Sequence, residues 1–95
     1  MLRSETLFPS ARSGPLLGTM SKHFAHKITV EADGPLTRMR FPMGTVTAQA
    51  REDGLHLLVE AEDAAGIERV QTVLISHLMR FAHREDPQEP VWQSA

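Results

Sequence analysis

The sequence predicts an α+β two-layer sandwich, a four-stranded antiparallel meander with two helices packed on one face. Three observations predict it. Residues 13–26 and 64–83 place apolar side chains at helical spacing. Between them, four short runs alternate apolar with polar residues, the signature of half-buried strands. Asp33-Gly34, Pro42-Met43-Gly44 and Asp53-Gly54 join those runs as tight turns, so neighbouring strands must be antiparallel. A sheet with one apolar face needs that face covered, which puts both helices side by side on it. The expected order is α-β-β-β-β-α, with a possible short edge strand at the C-terminal end.

Residues 1–12 show no clear period and are expected to form a partly ordered lead-in to a single domain at 13–95. Within that lead-in, Leu7 and Phe8 are candidates for a short edge strand or for packing on the core. Ser13-Gly14-Pro15 reads as a helix start, with Ser13 as the cap and proline tolerated where no partner awaits its amide. Leu16, Leu17, Met20 and Phe24 then share about 100° of arc. His23 lies about 20° outside that stripe and His26 about 80° outside it.

After Lys27 the period falls to two. Ile28 and Val30 face one way from the first strand, and Thr37, Met39 and Phe41 from the second. Val46, Ala48 and Ala50 do so from the third, and Leu55, Leu57 and Val59 from the fourth. Asp63 caps the second helix, whose stripe holds Ile67, Val70, Val73, Leu74, Leu78 and Phe81. His77 falls inside this arc, between Val73 and Val70, while His83 points to solvent. A polar linker bounded by Pro87 and Pro90 leads to Val91-Trp92-Gln93, where Trp92 can cover one end of the core.

Composition narrows the function classes. A net charge of -2 gives no bulk attraction to phosphate backbones, so nucleic acid is not an expected partner. Without cysteine, disulfides, thiolate metal sites and cysteine nucleophiles are excluded. The first eight residues carry an early acid and no long apolar run, so neither a secretory signal nor a membrane span is expected. A cytoplasmic location follows as the default.

Four ordered motifs stand out: His23-Phe24-Ala25-His26-Lys27 after the first helix and Phe41-Pro42-Met43-Gly44-Thr45 at a hairpin. Ser76-His77-Leu78-Met79-Arg80-Phe81-Ala82 in the second helix and the closing Val91-Trp92-Gln93 complete them. With them the chain resembles a bacterial family, the one known as domain of unknown function 2218, from about Ser13 to Gln93. Gly14-Pro15 departs from it, because members usually carry ordinary helix formers there. Members stand alone or are appended to flavin-dependent siderophore-interacting reductases. The resemblance therefore implies an association with ferric-siderophore handling and such a reductase as partner, with no activity attached to the domain itself.

Two groups of residues are candidate sites. His23, His26 and His77 could bring imidazoles together between the helices, and neutral imidazoles suit a transition metal or haem. The same residues also read as a satisfied core pair, His23 with His77, plus His26 capping the helix end. Lys27, Arg38, Arg40 and Arg80 could hold a carboxylate or phosphate, or form a solvated face balanced by Glu31, Glu60 and Glu62. No nucleophile elbow, glycine-rich phosphate loop or HExxH pattern is present, and Ser76 and His77 diverge by about 100° on one helix. The expectation is a non-enzymatic binding or accessory domain with no cofactor, the alternative being a small histidine-based metal- or haem-binding protein. Leu58, outward on its strand, leaves both a monomer and a homodimer open.

Overall fold

A computed structural model describes all 95 residues. The chain runs β1 (Leu2–Pro9), α1 (Ser13–Ala25), β2 (Thr29–Asp33), β3 (Leu36–Phe41), β4 (Gly44–Arg51), β5 (Gly54–Ala61), α2 (Ala64–Phe81) and β6 (Gln93–Ser94). The strands form one antiparallel sheet in the order β2-β3-β4-β5-β1-β6, and both helices lie on one face of it. The expected α+β sandwich is present, with six strands rather than four and a possible fifth. No helix is long and apolar enough to cross a membrane.

The largest correction concerns the first residues. Rather than a partly ordered lead-in, residues 2–9 form a full strand, paired with β5 from Leu2↔Ala61 to Pro9↔Gly54. Its inward positions are Ser4, Thr6 and Phe8, so two of the three are polar and the apolar alternation is hidden. Those hydroxyls are satisfied by the end of the chain. Thr6 Oγ1 donates to the Val91 carbonyl at 2.8 Å, and Ser4 Oγ donates to the Gln93 carbonyl at 3.3 Å. From α2, Gln71 Nε2 donates to Ser4 Oγ at 2.9 Å. No buried side-chain nitrogen or oxygen is left without a partner. Trp92, in the same tail, is half-buried against the core.

The meander follows the alternation. Met39, Val46, Ala48, Leu55, Leu57 and Val59 are fully buried beneath the helices. Two turns differ in register from expectation. Asp33 pairs with Leu36, so the first hairpin turns on Gly34-Pro35, with Gly34 at φ 61° as in a type II′ turn. Arg51 pairs with Gly54, so the third turns on Glu52-Asp53. Ser13 is the first helical residue of α1 rather than its cap, and its hydroxyl donates to the Arg51 carbonyl of β4. Asp63 caps α2 as expected, accepting from the Gly66 amide at 2.8 Å. The buried arc of α2 is rotated toward Ile75, which leaves Val73 and His77 on its half-exposed rim.

The Pro42-Met43 turn is clamped against the first turn of α2. A Cβ on Gly66 would lie 2.8 Å from the Met43 carbonyl oxygen and 3.0 Å from the Ala61 side chain. Gly18, in the interior of α1, has nothing within 4 Å of a Cβ built there. Glycine-to-alanine changes at the two sites should therefore have opposite signs. Gly18→Ala should raise stability by about 0.5–1 kcal/mol through helix propensity, whereas Gly66→Ala should lower it by about 1–3 kcal/mol through backbone overlap. Urea unfolding of the two variants beside the parent chain checks this.

Candidate functional site

The last turn of α1 and the C-terminal end of α2 meet at an aromatic corner. The rings of His23 and His77 lie 4.7 Å apart between centroids, tilted by 48°. Phe24, anchored in the core, stands edge-on to Phe41 at 5.1 Å and lies 4.9 Å from His77. Phe81 closes the cluster at 5.5 Å from His23. Edge-to-face contacts of this kind each add about 0.5–1.5 kcal/mol beyond the area buried. The corner exists because Phe24 belongs to the buried stripe of α1 and carries its neighbour His23 to the α2 rim.

The two histidines differ in chemistry. His77 Nδ1 lies 2.7 Å from the Val73 carbonyl oxygen. A carbonyl only accepts, so Nδ1 carries a proton. His23 has its pKa lowered from the ordinary 6.5, first by desolvation and then by the charges of His77, Arg80, Lys27 and His26. Its ring is thus held neutral inside a field of positive charge.

The structure brings together only part of the expected constellations. His23 and His77 meet, but His26 sits exposed at the C-cap of α1, outside the ring cluster. No group of three histidine, aspartate or glutamate side chains gathers with the geometry of a metal centre. The four cations divide as well. Lys27 and Arg80 act on His23, and the Arg80 guanidinium lies 5.9 Å from the centre of the Phe81 ring. Arg38 and Arg40 project from the opposite, outer face of the sheet, where Arg40 Nε donates to Glu31 at 2.8 Å. The ion pairs of the chain are Arg3–Glu60, Arg40–Glu31 and His56–Glu5, so neither Lys27 nor Arg80 has an acidic partner.

Beside the corner runs a groove. A cavity of about 540 Å³ is lined by Met43, Glu68, Arg69, Thr72 and Val73. Val73 belongs to both places, since its carbonyl holds the His77 ring. An adjoining cavity of about 520 Å³ shares Met43 and Arg69 and reaches Phe41. The one chemistry-bearing pair absent from the sequence reading is His56 with Glu5, on the outer face. Its signal was the outward position of His56 on β5, which means little until β1 is placed beside it.

Together, these features define a small two-layer α+β domain with one helix-covered face, one open face and an aromatic corner bearing unpaired cations. The chain belongs to the family described as an uncharacterized protein conserved in bacteria, domain of unknown function 2218, whose model matches residues 6–93. It is similar in structure to PA4090 from Pseudomonas aeruginosa, solved by NMR, with a TM-score of 0.80 and 25% identity. That likeness covers 98% of this chain and 96% of the other. No curated protein matches the sequence.

The state of His23 gives a pH prediction. Because its folded pKa lies below the unfolded one, the unfolded chain takes up the proton first as the pH falls. The stability it contributes is complete above about pH 6.5 and is lost as acidification proceeds toward the lower, folded pKa. Thermal midpoints measured from about pH 7.5 to 5 should fall less steeply for His23→Gln than for the parent chain. Parallel curves would mean that His23 titrates alike in both states.

Proposed function

We propose that the chain is a non-catalytic binding module of the cytoplasm, which takes an acidic group of a partner protein at the His23–His77 corner. One observation carries this reading: Lys27 and Arg80 flank an aromatic floor and have no acid of their own to neutralise them. Charge left unbalanced beside apolar rings favours an anionic visitor, because the rings exclude water and strengthen the attraction. The adjoining groove with Met43 and Val73 supplies apolar area for the residues around that acid.

The partner of this reading is a flavin-dependent siderophore-interacting reductase, the class the sequence resemblance implies, with ferric-siderophore handling as the proposed setting. No step of a reaction is assigned to the module.

A second reading, a transition-metal or haem site, is favoured by the 4.7 Å approach of the two imidazoles. The same positive field that lowers the pKa of His23 opposes a divalent cation, which ranks this reading below the first.

Calorimetric titration of the full chain into a siderophore-interacting reductase tests the proposal. Saturable binding should weaken by about tenfold or more in Lys27→Glu/Arg80→Glu, with the thermal midpoint nearly unchanged. Binding that ignores those charges would overturn it. So would near-stoichiometric metal in untagged protein purified without chelators, which would establish the second reading instead.

A further inference from the structure

The outer face of the sheet, turned away from the helices, holds a second cluster that the fold itself does not use. His56 projects outward from β5 and Glu5 outward from β1, one diagonal apart in the register, with Nε2 3.1 Å from Oε1. The imidazole is mostly enclosed, its side chain 20% exposed. Beside this pair lies a cavity of about 400 Å³, bounded also by Arg51, Leu7, Val91 and Gln93.

Three features of that cavity point to a ligand. Arg51 extends its guanidinium with no carboxylate partner, touching only the side-chain oxygen of Gln49 at 3.4 Å. Glu5 fixes the orientation of His56: a carboxylate only accepts, so Nε2 carries a proton and the Glu5 charge is taken up by the imidazole rather than by Arg51. Val91 is 81% exposed although its carbonyl is held by Thr6, so an aliphatic side chain is fixed at the rim with nothing covering it.

We infer that this cavity binds a small aliphatic monocarboxylate, its carboxylate on the Arg51 guanidinium beside His56 and its alkyl body against Leu7 and Val91. The lining sets the class. The Glu5 carboxylate is committed to His56, and the Arg51 guanidinium is the charge in the lining left to meet one carboxylate. A phosphate dianion would meet Glu5 in the same cavity with one charge too many, and it has no apolar body to set against the two aliphatic walls. The site is independent of the aromatic corner, which lies on the helix-covered face.

Titrating the full chain with butyrate at about pH 6, followed by amide and imidazole NMR shifts, tests the site. Saturable shifts should be confined to Leu7, Arg51, His56, Val91 and Gln93. Arg51→Gln should weaken the affinity about tenfold or more through loss of a charge-assisted hydrogen bond. It should leave the thermal midpoint in place, because Ser13 holds the Arg51 backbone rather than its side chain. Inorganic phosphate should bind more weakly than butyrate. Shifts that never saturate, that persist unchanged in Arg51→Gln, or that phosphate reproduces at equal affinity would each overturn the assignment.

Discussion

Antiparallel pairing of β1 with β5 along their whole length is the constraint on which the rest of the fold depends. Every residue from Leu2 to Pro9 has a partner on β5, and the approach is close enough that any side chain on Gly54 would strike the Phe8 carbonyl. This pairing turns β5 from an edge into a central strand. Leu55, Leu57 and Val59 can then be fully buried under both helices, the most favourable place for apolar area. It also gives the end of the chain somewhere to go. β6 pairs with Ser4 and Glu5, and the tail before it satisfies Thr6. The first and last residues of the chain are thereby closed onto each other.

The two faces of the sheet use charge differently. On the outer face, Arg3 stands across from Glu60 in register and Arg40 reaches Glu31 on a diagonal, exposed pairs worth little to stability. On the helix side, Lys27 and Arg80 stand unpaired beside the ring cluster of His23, His77, Phe24 and Phe81. Arg51, likewise without a carboxylate partner, borders the outer-face cavity beside His56.

How much of this was legible depended on what each strand buries. β3, β4 and β5 could be read because Met39, Val46, Leu55 and Leu57 announce the inward face by hydrophobicity. β1 could not, because Ser4 and Thr6 face inward toward a polar tail that only the folded chain brings near. The meeting of His23 with His77 was legible from two helical wheels and one rule of layering. The separation of Lys27 from Arg38 and Arg40 was not, because it depends on which side of the sheet the turn after α1 emerges. His56 gained meaning only with β1 in place. One misread strand therefore hid one candidate site as well.

Native-state hydrogen exchange on the β1 amides that pair with β5 tests this account most directly. They should exchange about as slowly as the central amides of β4 and β5, through global unfolding alone. Exchange at the rate of an unstructured chain, with β2 to β5 still protected, would contradict it. The first residues would then be a lead-in after all, and the Glu5–His56 cavity would have no fixed wall.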